Sequence, residues 1–169
     1  MKIYGVTGWK NSGKTGLMER LVSEFTARGL TVSTLKHAHH AFDVDQAGTD
    51  SFRHRAAGAG QVLLASGRRW ALMSELGDAP EPPLTELLAK LNPCDLVLIE
   101  GYKRADHPKI EAHRAATKQP LIAPDDPTIR AVASDSDLTL DRPVFDLNNT
   151  KVIADFIWAE VANKVAQNG

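Results

Sequence analysis

Short apolar runs bounded by glycine, proline or polar residues recur along this chain and predict β-strands. These runs lie at residues 2–7, 30–35, 61–65, 70–74, 95–99, 109–113, 129–133 and 144–146. The run at 95–99 is continuously apolar, which is typical of a strand that is covered on both faces. The run at 70–74 is a candidate partner for the run at 61–65.

Helical patterns separate several of these predicted strands. An apolar stripe typical of one helix face follows residue 15 and consists of Leu17, Leu21, Val22 and Phe25. Gly29 is placed to end that helix, residues 83–91 suit a short helix, and residues 150–165 carry a second amphipathic pattern. The alternation predicts an α/β fold with a mainly parallel, doubly wound sheet and helices on both faces.

Composition limits the classes of protein that fit this chain. With 169 residues, of which 43% are hydrophobic, it can bury one substantial core, so we predict a single domain over residues 1–169. The formal net charge of −1 provides no broad basic surface, and we expect neither a nucleic acid nor a membrane as a partner. The single cysteine and the lack of a signal-peptide pattern lead us to expect a cytoplasmic protein.

The strongest chemical signal lies at residues 8–15, between a predicted strand and a predicted helix. It is a complete G-x-x-x-x-G-K-[ST] phosphate-binding loop, in which glycines let successive N–H groups curl around phosphates. Lys14 is placed to reach the β- and γ-phosphates and the Thr15 hydroxyl to bind Mg²⁺, whereas Lys10 could contact phosphate or face solvent. We predict that nucleotide binding involves Gly8, Trp9, Lys10, Asn11, Ser12, Gly13, Lys14 and Thr15.

An acidic residue ends the most apolar predicted strand. Glu100 follows the run at 95–99, at the position where P-loop proteins hold an acid that touches Mg²⁺ directly or through water. We therefore predict Thr15 and Glu100 as the metal-binding residues. Gly101 comes next, and its small size would let its N–H approach a γ-phosphate.

A third polar segment follows the predicted second strand. It contains Lys36, His37, His39 and His40 and continues with Asp43, Asp45, Gly48 and Asp50. Because loops after parallel strands gather at one edge of the sheet, we predict that this substrate or switch segment meets the phosphate-binding loop and Glu100. Its carboxylates could support Mg²⁺, and Lys36 or His37 could contact phosphate. A transition-metal site at the histidines and a solvated polar loop are the alternatives.

These segments occur in an order that resembles the molybdopterin-guanine dinucleotide biosynthesis adaptor, the MobB family. The likeness rests on the phosphate-binding loop, the Lys-His-x-His-His segment with its acidic continuation, and three further stretches. These are Arg-Ala-Ala-Gly-Ala at 55–59, Ile-Glu-Gly-Tyr-Lys at 99–103 and Ala-Val-Ala-Ser-Asp at 131–135. The resemblance covers nearly the whole chain and implies a fold of the P-loop NTPase type.

The resemblance also implies a function. Proteins of this family bind GTP with Mg²⁺, hydrolyse it slowly and form homodimers. They assist the guanylyltransferase MobA, which joins GMP to molybdopterin, and are not themselves the nucleotidyltransferase. For this chain the likeness implies GTP and Mg²⁺ as cofactors, and MobA and molybdopterin or its guanine dinucleotide as partners. It implies phosphate and metal roles for Gly8, Gly13, Lys14, Thr15 and Glu100.

Guanine selectivity has no standard motif in this sequence. The Asn-Lys-x-Asp pattern, whose carboxylate commonly pairs with guanine, does not occur. Asp135, after the predicted strand at 129–133, and Asp146 are candidates because a carboxylate can accept from two adjacent donors. Each could instead cap a loop. No water-orienting side chain or arginine finger is evident, which predicts weak GTPase activity.

Two other function classes fit parts of the same pattern. A metallochaperone GTPase would use His37, His39 and His40 to bind nickel or zinc. A small-molecule kinase would use the phosphate-binding loop alone, and would need a phosphoryl acceptor and a preference for ATP.

Overall fold

The computed structural model describes residues 1–38 and 42–166, which divide into two compact units. We call residues 1–37 with 91–169 the sheet unit, and residues 38–90 the hairpin unit. The strands are β1 (Lys2–Thr7), β2 (Val32–Lys36), β3 (Gln61–Ala65), β4 (Trp70–Ser74), β5 (Leu96–Glu100), β6 (Lys109–His113), β7 (Ile129–Ser134) and β8 (Val144–Asp146). The helices are α1 (Lys14–Ala27), α2 (Asp50–Ala56), α3 (Leu84–Ala89) and α4 (Thr150–Ala166), and 3-10 turns cover Ala115–Thr117 and Ala123–Asp125.

The strands of the sheet unit form one parallel sheet in the order β2-β5-β1-β6-β7-β8. Strand β1, which leads into the phosphate-binding loop, therefore lies between β5 and β6. Every residue of β5 is buried, as its continuous apolar run predicts. Because the strands are parallel, the segments that follow β1, β5, β6, β7 and β8 emerge at the same edge. We call this the carboxyl edge.

Helices α1 and α4 pack against each other and against the sheet. They close a core of fully buried side chains that includes Tyr4, Val6, Leu17, Leu21, Phe25, Ile153 and Ile157. On β7, Ala131 and Ala133 face this core, whereas Val132 packs with Ala123 in a second cluster. Successive strand side chains point to opposite faces, so the turn at Ala123–Asp125 covers the other side of the sheet.

The predicted α/β fold with a mainly parallel sheet is confirmed. The strands predicted at 2–7, 61–65, 70–74, 109–113 and 144–146 have those bounds, and the other strands differ by one or two residues. Gly29 ends α1 as predicted. Its φ of 82° is left-handed, and its N–H donates to the carbonyl of Thr26 at 2.9 Å.

The hairpin unit contains α2, α3 and the antiparallel pair β3–β4. The sequence did not predict α2, because this seven-residue helix has little apolar pattern. Its N-cap is Thr49, whose Oγ1 accepts from the N–H of Phe52 at 3.4 Å. Side chains distant in sequence also hold it, since Arg55 pairs with Asp43 and Asp45. That the whole chain forms a single domain stays a prediction.

Candidate nucleotide-binding site

The backbone of residues 8–15 curls tightly between β1 and α1. Gly8, Asn11 and Gly13 all have left-handed φ values, of 140°, 64° and 94°. A Cβ atom added at Gly8 would lie 2.4 Å from the carbonyl oxygen of Ala112 and 2.6 Å from Ser12 Oγ. Only glycine fits there, so the start of the loop packs directly against the backbone at Ala112.

The N-terminus of α1 points into this loop. The helix begins at Lys14, with Gly13 as its N-cap, and its first turn contains no acidic residue. The first N–H groups of a helix lack acceptors within the helix and carry the positive end of its dipole. Here no carboxylate of the first turn neutralises that end, which is the arrangement that binds a phosphate.

Ser12 adds a buried polar atom to the loop. Its side chain is 2% exposed, and Ser12 Oγ has no hydrogen-bond partner among residues 1–38 and 42–166. A buried hydroxyl without a partner costs free energy, of the order of 1–3 kcal/mol, unless a ligand supplies the bond. This unpaired hydroxyl inside a closed backbone loop fits a bound polyphosphate.

Lys14 is half-buried beside the loop. Its Nζ donates to the carbonyl oxygen of Trp9 at 2.6 Å. Burial lowers the pKa of the Lys14 ammonium below its ordinary value of 10.5, the Glu100 carboxylate acts against this, and Lys103 and Lys36 add to the lowering. The site thus concentrates positive charge, and a polyphosphate would relieve the repulsion among these cations.

Thr15 and Glu100, the two predicted metal-binding residues, lie together. Thr15 Oγ1 donates to Glu100 Oε1 at 3.3 Å, and Lys36 Nζ lies 3.5 Å from the same oxygen. A hydroxyl and a carboxylate are the oxygen donors that suit Mg²⁺. The expectation for Gly101 was wrong, because its N–H donates to the carbonyl of Val6 at 3.2 Å and is not directed at a phosphate.

Of the remaining loop side chains, Asn11 lines the cavity at the loop, whereas Lys10 and Trp9 do not. Lys10 is exposed and is not among the residues that line the cavity at the loop. Trp9 Nε1 donates to the carbonyl of Pro120 at 2.7 Å, and Lys103 Nζ lies 4.2 Å from the centroid of the Trp9 ring. Trp9 therefore anchors the loop to the neighbouring segment and keeps Lys103 close to it.

Two cavities lie at the carboxyl edge of the sheet unit. The loop cavity, of about 380 Å³, is lined by residues 11–16 and Arg114. The edge cavity, of about 600 Å³, is lined by Ser134, Asp135, Ser136, Asp137, Leu138, Val144, Phe145, Asp146 and Asn148. The first is formed by the phosphate-binding loop, and the second by the ends of β7 and β8. Both therefore lie at the edge of the sheet at which the phosphate-binding loop emerges.

The predicted base-binding residues both line the edge cavity, and each also holds a loop. Asp135 Oδ1 accepts from the N–H of Ala115 at 2.9 Å, and Asp146 Oδ1 accepts from the N–H of Asn148 at 2.8 Å. Neither Oδ2 atom has a hydrogen bond among the residues that the structure describes. Each carboxylate can thus keep its structural bond and still accept from a ligand.

The predicted switch segment is divided between the two units. Lys36 and His37 belong to the sheet unit, where the His37 N–H donates to the carbonyl of Glu100 at 2.9 Å. The acids belong to the hairpin unit. Asp43 and Asp45 accept from Arg55 at 2.6 and 3.0 Å, which lowers the pKa of Asp43, and exposed Asp50 begins α2. His39 and His40 lie outside the described residues.

Sequence reasoning missed Arg114, whose side chain lines the loop cavity. A signal was present, because Arg114 directly follows β6, just as Glu100 ends β5, and both strands flank β1. Polar residues that follow the strands on either side of the phosphate-binding strand emerge at the same edge as the loop, so their position in the sequence identifies them as candidates. No cluster of three histidine, cysteine or acidic side chains suited to a metal occurs within residues 1–38 and 42–166.

The parallel sheet, the curled loop between β1 and α1, and the acid at the end of neighbouring β5 together define an α/β protein of the P-loop type. The family model described as Molybdopterin guanine dinucleotide synthesis protein B matches residues 3–135. The chain belongs to this family, the MobB family.

Named relatives agree with that membership. The chain is 43% identical to the molybdopterin-guanine dinucleotide biosynthesis adapter protein of Haemophilus influenzae, over 92% of this chain and 86% of that protein. It is 39% identical to the Escherichia coli adapter protein, over 95% of each. The crystal structure of Bacillus subtilis MobB matches with a TM-score of 0.75 and 25% identity, over 95% of this chain and 98% of that one.

A MobB homologue from Bacillus stearothermophilus has the same fold, with a TM-score of 0.67 and 27% identity over 96% of this chain and 99% of that one. Among residues 1–38 and 42–166, no helix combines the length and the apolar character that crossing a bilayer requires.

Proposed function

We propose that this chain binds GTP with Mg²⁺ at the loop cavity and acts as an adaptor in molybdopterin-guanine dinucleotide biosynthesis. Nucleotide binding is supported above all by the tightly curled loop at residues 8–15. Its backbone curls through left-handed φ values at Gly8, Asn11 and Gly13, and the buried Ser12 hydroxyl has no partner among residues 1–38 and 42–166. The adaptor half is supported by family membership and by the names of the relatives.

Different groups of the site bind the phosphates and the metal ion. The N–H groups at the start of α1 and the Lys14 ammonium bind the phosphates, and Thr15 and Glu100 hold the metal ion. Held by Thr15 and Glu100, Mg²⁺ would supply positive charge that offsets the negative charge of the phosphates. Lys36, close to Glu100, limits the negative charge on this side of the site.

GTP hydrolysis is expected to be weak. Glu100 accepts from Thr15 and pairs with Lys36, and in the proposed site its role is to hold the metal ion, which leaves no assigned base for the attacking water. P-loop enzymes gain about 10³- to 10⁵-fold in rate from an arginine that contacts the transferred phosphate. No residue of the proposed site takes that role, and the protein works by binding GTP.

Selectivity for guanine is assigned to Asp135 and Asp146. The double change Asp135→Asn with Asp146→Asn keeps an oxygen for Ala115 and Asn148, so the loops stay in place, but it presents amide donors to the N1–H and N2–H groups of guanine. We expect the preference for GTP over ATP to fall at least about tenfold, measured by competition against a fluorescent GTP analogue. An unchanged preference with an unchanged melting temperature would show that other groups read the base.

The adaptor role calls for a physical complex with MobA, the guanylyltransferase, and for exchange of GTP or of molybdopterin and its guanine dinucleotide between the two proteins. Capture on the tagged protein, with GTP and Mg²⁺ and then with EDTA, tests this directly. We expect the guanylyltransferase to be retained with GTP and Mg²⁺ and released by EDTA. Its absence under both conditions would remove the adaptor role and leave the nucleotide site untouched.

The chain is also proposed to form a homodimer. In the hairpin unit, Leu63 pairs with Leu72 and Ala65 with Trp70, which puts these side chains on one face. Leu63, Leu72 and Trp70 are 63%, 50% and 64% exposed, although a two-stranded hairpin is only marginally stable by itself. A second copy that covers this face would bury it.

Sedimentation velocity tests the dimer. We expect a single dimeric species for the natural sequence and a monomer for Leu72→Lys, because a buried unpaired ammonium would oppose association. The control is Arg68→Glu, which changes the charge at the tip of the hairpin and leaves the apolar face intact. A natural chain that sediments as a monomer, or a Leu72→Lys variant that remains a dimer, would refute this interface.

A further inference from the structure

Arg114 is an exposed residue that lines the loop cavity, and its guanidinium has no acceptor among residues 1–38 and 42–166. A Cβ atom built on Gly13 would be 3.0 Å from Arg114 Nε and 3.4 Å from Arg114 Cζ, so the guanidinium lies directly against the loop. Within residues 1–38 and 42–166 it makes no hydrogen bond or ion pair. An arginine has five N–H donors, and those of Arg114 lie beside the phosphate-binding loop, where no described protein group accepts from them.

The backbone of Arg114 is held in place on both sides. Its carbonyl oxygen accepts from the N–H of Thr117 at 3.0 Å and from Thr117 Oγ1 at 2.8 Å. The next N–H, that of Ala115, donates to Asp135 Oδ1 at 2.9 Å. These bonds fix the start of the turn at Ala115–Thr117 to the end of β7. The backbone from which the Arg114 side chain extends is therefore held by hydrogen bonds.

The strand order, combined with the proposed metal and base sites, indicates which part of a bound nucleotide would pass Arg114. Of the two proposed metal-binding residues, Thr15 lies in the first turn of α1 and Glu100 at the end of β5. The edge cavity lies on the opposite side of β1, at the ends of β7 and β8. Arg114 follows β6, which lies between β1 and β7. A nucleotide with its outer phosphates near Glu100 and its base in the edge cavity would therefore pass Arg114 with the phosphate nearest the nucleoside.

We propose that Arg114 binds the α-phosphate of the nucleotide. The inference rests on the proposed GTP site and adds a residue and an orientation to it. A guanidinium can donate two parallel bonds to one phosphate, which a lysine ammonium cannot match in geometry. Lys14 would bind the outer phosphates and Arg114 the inner one, so that cations flank the phosphate chain at both ends.

Titration of Arg114→Gln with GTP, GDP and GMP tests this assignment. We expect the affinity to fall about 10- to 100-fold, by the same factor for all three nucleotides, because all three contain the α-phosphate. GMP is measured by its displacement of a fluorescent GDP analogue at millimolar concentration. The matched control is Lys118→Gln, which removes one positive charge from the same segment but from outside the loop cavity. It should leave all three affinities within about twofold.

The alternatives give different patterns. A loss confined to GTP would place Arg114 on the γ-phosphate, a loss shared by GTP and GDP alone would place it on the β-phosphate, and an unchanged affinity would show no contact; each refutes the inference. A natural chain that binds none of the three nucleotides would refute the proposed function itself. Equal melting temperatures of the natural chain and the variant would show that the changes arise at the site.

Discussion

Replacing Lys14 with alanine is expected to weaken the binding of GTP with Mg²⁺ by at least about 100-fold. Hydrogen bonds to charged groups contribute about 1.5–3 kcal/mol each, and the ammonium is placed to bond to two phosphates. About 2.7 kcal/mol of lost binding free energy corresponds to a factor of 100 in Kd. Calorimetric titration with GTP and Mg²⁺ measures this directly.

The fold should survive the same change. Burial lowers the pKa of Lys14 below its value in the unfolded chain, so the charged side chain makes the folded state less stable at neutral pH. That loss disappears as the pH rises from the lowered pKa of the folded state to the higher pKa of the unfolded state, because over this interval the unfolded state holds more of the proton. The stability of the natural chain should therefore rise between these two pKa values. The alanine variant should lack this rise, and its unfolding free energy at neutral pH should change by less than about 1 kcal/mol.

Nucleotide binding should also be coupled to the uptake of a proton by the Lys14 side chain. A polyphosphate next to the ammonium raises its pKa, so binding takes up a proton when the pH lies above the lowered pKa of the free protein. The affinity should then fall as pH rises through that pKa. Lys10→Ala serves as the control, because Lys10 is exposed and outside the loop cavity. Wild-type affinity in Lys14→Ala, or an equal loss in Lys10→Ala, would contradict the assignment.

Glu100→Gln is expected to remove most of the Mg²⁺ dependence of GTP binding. The natural chain should bind GTP about 10- to 100-fold more tightly with Mg²⁺ than with EDTA, whereas the variant should bind similarly in both. The glutamine oxygen can still accept from Thr15, so the local hydrogen bond remains while the charge that attracts the metal is lost. Without Mg²⁺ the variant should bind GTP at least as tightly as the natural chain does, because it lacks a negative charge near the phosphates.

Asp95→Asn is the matched control for this experiment. Asp95 directly precedes β5, at the end of the strand opposite Glu100, and its Oδ2 accepts from Thr31 N and Thr31 Oγ1 at 2.8 and 2.7 Å. These bonds lower the pKa of Asp95, so its loss acts on stability and has no direct effect on a metal site at the far end of the strand. A full Mg²⁺ response in Glu100→Gln, or its loss in Asp95→Asn, would show that the metal ion is held elsewhere.

The secondary structure could be predicted where local pattern and tertiary environment agree. Strand β5 is an example, because an unbroken apolar run has to be covered on both faces and all of its residues are buried. Helix α2 could not be predicted, because the contacts that hold it come from Asp43, Asp45 and Glu75, which pair with Arg55. A window of local sequence carries no information about such pairs.

The sequence by itself determined the phosphate-binding loop. Its glycines, lysine and threonine are consecutive, and the left-handed backbone at Gly8 and Gly13 is a property of those residues. The family could also be recognised from the order of its motifs, and the comparisons confirm it.

Only the tertiary structure decided what surrounds that loop. Arg114 comes to lie against Gly13, Asp135 comes to hold the N–H of Ala115, and the edge cavity opens between the ends of β7 and β8. These contacts depend on the order in which the parallel strands pair, which places residues a hundred positions apart side by side. That order is set by the packing of the whole sheet unit, so no local stretch of the chain encodes it.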